Sequence, residues 1–201
     1  SVLHIGCELS SFDEHKIESN NEIPIILWNH RWEYDKNPDL FFQTLFKIKE
    51  MGVDFHLILL GEKFSSSPKI FDIAIKKLKD NILHHGYCKS FEEYAKWLWR
   101  ADIIPITSNQ DFFGISAVEA VHCDTYPILP NRLSFTEVFN QKTNSEIFYD
   151  KDNQLLEKTI KVLKDYGKLK NYSFLTKHYD WKHISSKYDQ SFEGMIKKIT
   201  K

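Results

Sequence analysis

The 201-residue chain carries 27 Lys and Arg against 28 Asp and Glu, and 42% of it is hydrophobic. That is the composition of a globular domain large enough for a full-sized core, and it excludes a disordered or low-complexity chain. The longest apolar runs, residues 23–28 and 55–60, fall far short of the ~20 residues that cross a bilayer, so no membrane span is expected.

Residues 1–21 are polar after Leu9 and lack the basic head and apolar stretch of a signal peptide. They read as an incoming linker from a preceding domain, with residues 22–201 forming one domain. IPIILW at 23–28 suits a central parallel strand, with Pro24 tolerated near its start. After a loop over 29–37, Pro38 opens a helix on Phe41, Leu45 and Ile48 that ends at Gly52. FHLILL at 55–60 is a second buried strand, and a helix near 69–79 follows on Ile70, Ile73, Ala74 and Leu78. A third strand at 82–84 runs into His85-Gly86-Tyr87. Ser90 and Glu93 then make a capping box for a helix that reaches Arg100. Strands at 103–106 and 126–129 flank a small-residue helix, and a helical turn at 135–139 leads to a last strand at 147–149. Helices at 153–166, around 171–178 and at 181–199 finish the chain. This alternation predicts an α/β, Rossmann-like, doubly wound parallel sheet of about six strands with helices on both faces.

In such sheets ligands bind beyond the carboxyl ends of the strands, so the loops there carry the chemistry. The loop after the first strand holds His30, Arg31 and, five residues on, Lys36. Two cations ahead of a helix can clamp a diphosphate without a metal. The segment DFFGISAVEAVHCDTYPILP, residues 111–130, reads as loop, helix and strand. Gly114 admits close backbone approach, and the N–H groups of Gly114, Ile115 and Ser116 at the positive end of the helix dipole suit a phosphate. Glu119 falls on the apolar stripe of Ile115 and Val118, where a carboxylate needs donors that ligand hydroxyls can supply.

Asp111 and Glu119, with the FFG and EA between and around them, resemble the Glu-x7-Glu signature of retaining GT-B glycosyltransferases, and Arg31 and Lys36 match that family's Arg-x4-Lys pair. The resemblance implies that Asp111, with Phe113, faces the donor sugar, that Glu119 holds the nucleotide ribose, and that the two cations meet the diphosphate. The region of Gly86 and Tyr87 would lie along the base. No metal or other cofactor is then needed, and an N-terminal acceptor domain of the same enzyme is implied as a partner. Asp111 stands where the family usually has Glu, one methylene longer. A narrower likeness is carried by WNHRWEYDKNPDLFF, ILHHGY, RADIIPITSNQDFFGISAVEAV and YPILPNRLSFTEVF, over roughly residues 23–140. These segments look like the tRNA-queuosine mannosyltransferase group, which implies GDP-mannose as donor and a tRNA as acceptor. Two other readings stay open: transfer to a glycolipid or surface polysaccharide, and a non-catalytic nucleotide-binding or tRNA-binding module.

Cys7, Cys88 and Cys123 are widely spaced, with no C-x-x-C pair, so neither a disulfide framework nor a zinc site is expected and a reducing cytoplasm is. Residues 151–201 carry twelve Lys against six acids, which reads first as the solvated face of a terminal helix and second as a surface for tRNA or an anionic membrane. Asp150-Lys151-Asp152 follows a strand and precedes a helix, so turn and N-cap chemistry explains it better than metal binding. His84 and His85 are adjacent on a strand and point to opposite faces, a poor geometry for sharing a metal.

Overall fold

The computed structural model describes residues 3–199. Six parallel strands, β1 (Ile25–Trp28), β2 (His56–Leu60), β3 (Ile82–Gly86), β4 (Ile103–Pro105), β5 (Tyr126–Pro130) and β6 (Phe148–Tyr149), lie in the order β3-β2-β1-β4-β5-β6. The order reverses between β1 and β4, which pair through Ile26 and Ile103. Loops leaving those two strands therefore diverge from a shared crevice, the place where open parallel sheets bind ligands.

Both faces of the sheet are covered, because successive residues of buried strands point opposite ways. Ile26, Trp28, Leu57, Leu59, Ile103 and Ile128 pack under α2 (Pro38–Glu50), α3 (Ile70–Lys77) and α7 (Asp152–Lys164). Ile25, Leu27, Ile58, Leu60, Ile104 and Leu129 pack under α4 (Phe91–Arg100) and α5 (Ile115–His122). Trp28, Phe41, Phe42 and Phe71 form an aromatic knot between β1 and its two helices, with Phe71 stacked on Trp32 at 4.5 Å. A one-turn α6 (Phe135–Val138) follows β5, and α8 (Trp181–Ile199) ends the described chain.

Three sequence expectations need correction. Residues 171–178, read as a helix, instead hold two 3-10 turns, Ser173–Leu175 and Lys177–Tyr179. Ile147 belongs to the 3-10 turn before β6 rather than to the strand. The stretch read as a linker docks on the domain: α1 (Ser10–Asp13) follows Leu9, and both Leu9 and Phe12 are buried. Cys7 exchanges backbone hydrogen bonds with Tyr179 and Trp181, and the Trp99 indole donates to the Phe12 carbonyl at 2.8 Å. Three buried side chains, Cys7, Leu9 and Phe12, scattered in a polar segment are too few to show a period, which is why the segment reads as linker.

Asp180 joins this N-terminal segment to α8. Its carboxylate accepts the Ser10 N–H at 2.7 Å and the Lys182 N–H at 2.9 Å. Burial alone would raise its pKa, but these hydrogen bonds prevail and hold it below the usual 3.8. Asp180→Ala is expected to cost about 1–3 kcal/mol, read as a lower urea midpoint at neutral pH. A depressed carboxylate stabilises the fold above its unfolded value and loses that contribution as pH falls through its folded value. The gap between variant and wild type should therefore close below pH 3.8.

Candidate active site

The crevice at the switch point is lined from both sides. From the loop after β1 come Asn29, His30, Arg31 and Lys36; from the loop after β4 and from α5 come Asp111, Phe113, Gly114, Ile115, Ser116 and Glu119. A second recess opens beside it, walled by Gly61, Tyr87 and Cys88, and shares Asn29, His30, Arg31 and Tyr94 with the first. The structure thus brings together all but one of the site residues expected from sequence. Gly86 lines neither recess; it ends β3 at a φ of 113°, and its carbonyl accepts the Gly61 N–H at 3.2 Å. It closes the strand, and the exposed Tyr87 beside it presents the side chain.

Backbone and side-chain bonds sew the two loops together. Thr107 donates through its hydroxyl to the Lys36 carbonyl at 2.7 Å, and the Asn109 N–H donates to the Asp35 carbonyl at 2.8 Å. Arg132, which follows β5, donates to the carbonyls of Thr107 and Ser108. That contact fixes the start of the β4 loop from behind.

The two cations differ in their freedom. Lys36 is held by Asp35 at 3.1 Å, Asp111 at 3.2 Å and the Gln110 carbonyl at 3.0 Å, and its side chain is mostly covered. Arg31 is exposed and, among the described residues, ion-paired only with Glu33 at 3.2 Å. An exposed pair of this kind is weak, so the guanidinium is free to turn toward a stronger anion. Asp111 also accepts the Phe113 N–H at 3.4 Å, so its carboxylate orders the loop as well as facing the crevice.

Gly114 precedes α5 in the left-handed region at φ 88°, with no side chain capping the helix. The first amides of α5 are therefore left for solvent or an anion. Deeper in, Glu119 is held by one donor among the described residues, the Tyr94 hydroxyl at 2.7 Å. Burial raises the Glu119 pKa above its ordinary 4.5, and the Tyr94 bond only partly opposes this. Asn29 braces the pair, donating to the Ser116 carbonyl at 2.9 Å and to the Tyr94 oxygen at 3.3 Å. His30 is buried against Trp28, with Nδ1 2.8 Å from the Ser116 hydroxyl. Burial first, and then the Lys36 charge, push its pKa down to about 4, against the pull of Asp111 and Asp35. The imidazole is neutral at neutral pH, and its buried Nε2 has no partner among the described residues.

Sequence reasoning missed Asn29 and Tyr94. Tyr94 sits on an amphipathic helix where an aromatic residue reads as packing, and only the fold shows its hydroxyl reaching Glu119. Asp150 accepts from Asn131 at 2.7 Å, while Gln154 accepts the N–H groups of Asp150 and Lys151 to cap α7. His122 meets Asp13 at 2.9 Å. All three cysteines are free.

A parallel sheet ordered in this way, with cations, an uncapped helix start and a buried acid at its switch point, is an α/β domain of the Rossmann-like class. The chain belongs to the glycosyl transferases group 1 family, whose sequence profile matches residues 10–177. It is similar to a tRNA-queuosine alpha-mannosyltransferase of Drosophila melanogaster, 37% identical over 133 residues, which is 66% of this chain and 34% of that protein. The chain thus spans about a third of the length of this relative. Its fold is similar to a glycosyltransferase of Rickettsia africae (TM-score 0.76, 17% identity, 98% of this chain and 57% of the other). A sucrose-phosphate synthase of Thermosynechococcus elongatus is also similar (TM-score 0.68, 17% identity, 87% of this chain and 46% of the other). This chain covers about half of each of these GT-B glycosyltransferases, and its six-stranded sheet matches theirs.

Proposed function

We propose that this chain is the donor-binding half of a retaining glycosyltransferase that takes mannose from GDP-mannose to queuosine in a tRNA, in the cytoplasm. The observation that carries the reading is the convergence of Arg31, Lys36, the α5 start and Glu119 on one crevice. Family membership and the likeness to a queuosine mannosyltransferase support the reaction class and the acceptor.

In this reading the diphosphate lies between Arg31, Lys36 and the amides of Gly114, Ile115 and Ser116. As the glycosidic bond loosens, negative charge grows on the leaving diphosphate, and preorganised cations and dipoles stabilise that charge more than the ground state. These groups do the work a metal would otherwise do. Lys36 already faces two carboxylates, so Arg31, turning from Glu33, supplies the uncommitted positive charge. Glu119 accepts hydroxyls of the ribose, with Tyr94 and Asn29 holding it in place. Asp111 and Phe113 face the sugar, neutral His30 offers its Nε2 from the crevice wall, and Tyr87 flanks the base in the second recess. The acceptor domain is a separate part of the enzyme, and the Lys-rich residues 151–201 help to hold the tRNA.

Calorimetry with GDP, GDP-mannose and UDP tests the donor site. GDP and GDP-mannose should bind more tightly than UDP, and Arg31→Ala should weaken both about tenfold, the worth of one charge-assisted contact. Equal affinities of wild type and Arg31→Ala would overturn the diphosphate clamp. Preference for UDP would overturn the donor alone. Affinity for tRNA should fall steeply with salt, and a flat dependence would remove residues 151–201 from the acceptor surface.

A further inference from the structure

We propose that His84, Cys88 and Glu93 form a binding site for one zinc-class divalent cation that ties the end of β3 to the first turn of α4. The ligand atoms of these three side chains all lie within 4.8 Å of one another. Imidazole, thiolate and carboxylate are the donors zinc takes, and its bond lengths set ligand atoms about 3.3–3.8 Å apart in a tetrahedron. Binding would draw the three ligand atoms together by up to about 1 Å.

Each ligand is prepared for that role. The His84 Nε2 is buried and has no partner among the described residues, a condition folded proteins seldom leave uncompensated. The His84 ring packs beside Trp97 of α4, with centroids 5.0 Å apart, which limits its rotation. One oxygen of Glu93 accepts the Lys89 N–H at 2.8 Å, leaving the other for a cation. Burial first, and then Glu93, push the Cys88 thiol up to about 11. It is thus no reactive thiolate by itself, and it would give its proton to solvent as the Sγ–metal bond formed.

Sequence spacing alone does not disclose this cluster, because it does not show the register of β3. The β2–β3 register shifts between Leu57 and Ile58, which sets His84 opposite Ile58. Gly86, at positive φ, then ends β3, and Ser90 starts α4 by accepting the Glu93 N–H at 3.1 Å. His85 remains outside the group. Because Tyr87, Cys88 and Ser90 wall the second recess, a bound cation would hold that wall in one position. The cation does not enter the sugar-transfer chemistry, and the site stands or falls apart from the donor reading.

The purified chain, dialysed against chelator-buffered zinc, should retain one zinc per chain by mass spectrometry. Cobalt in its place should show a thiolate-to-metal charge-transfer band. Cys88→Ser and His84→Gln should each weaken zinc at least about tenfold, and His85→Gln should leave it unchanged. Absence of stoichiometric zinc in the wild type, undiminished zinc affinity in both Cys88→Ser and His84→Gln, or a cobalt spectrum without the sulfur band would overturn the site. The cobalt spectrum of the wild type decides even if a variant fails to fold.

Discussion

Replacing Glu119 with alanine should weaken GDP-mannose at least about 100-fold in calorimetry while making the empty domain more stable. Two ribose hydroxyls donating to a buried carboxylate make charge-assisted bonds worth about 1.5–3 kcal/mol each, and alanine forfeits both. The stability gain has the opposite origin. Without a nucleotide, Glu119 has a single donor, Tyr94, and burial penalises its charged form. The folded chain therefore keeps the Glu119 proton over a pH interval in which the unfolded chain has released it. The stabilising contribution is complete below 4.5 and is lost as pH rises through the raised folded value. Glu119→Gln has no proton to lose and can still accept from Tyr94, so its unfolding midpoint should exceed that of wild type at neutral pH and converge with it in acid. Donor binding by wild type should fall over the same interval, because a protonated Glu119 accepts fewer bonds. If Glu119→Ala bound GDP-mannose within about threefold of wild type, the carboxylate would not be the ribose anchor.

The same residue shows what a sequence can disclose. An acid on the apolar stripe of a helix calls for a partner, and that much is legible from Ile115, Val118 and Glu119 alone. The identity of the partner is not, because Tyr94 lies 25 residues away on another helix. The crevice was legible for a topological reason: Arg31 and Lys36 follow one predicted strand, the α5 start follows another, and a parallel sheet gathers such loops at one edge. What the loops do to each other was hidden. Nothing in the spacing of Lys36 and Asp111 says that they pair across the crevice, so the sequence presents as an unencumbered cation a side chain already facing two carboxylates. Docking of Leu9 and Phe12, and the meeting of His84 with Cys88 and Glu93, were concealed similarly. Each depends on a turn or a register shift that leaves hydropathy unmarked.

A free Arg31 beside a neutralised Lys36 also bears on how the crevice fills. Glu33 and Asp35 stand next to the cations, so the unliganded site repels any anion too weakly bound to displace them. A diphosphate brings several acceptor oxygens at once and can replace both carboxylates; a single carboxylate or chloride cannot. If the crevice is the diphosphate clamp proposed above, its selectivity over simpler anions should follow from the acids placed beside the cations, not from the cations alone.

Gly114 is where fold and site meet most tightly, and Gly114→Ala should cost about 3 kcal/mol of stability and most of the donor affinity. Two separate penalties add. The residue sits at φ 88°, where a side chain costs about 1–3 kcal/mol in strain. An added Cβ would also lie 2.6 Å from the Phe135 ring, which is fully buried and has no room to retreat. Gly52 separates these terms: its φ is 71°, but a Cβ there meets nothing within 4 Å. Gly52→Ala should therefore show the strain alone, a smaller fall in the urea midpoint, with donor binding intact. In Gly114→Ala the clash must be relieved by moving either Phe135 or the start of α5, and the second course shifts the amides that face the diphosphate. Loss of GDP affinity larger than the stability change explains, measured well below the unfolding transition, would place the phosphate at that helix start. Equal effects from both glycine substitutions would mean that the helix start has no part in holding the nucleotide.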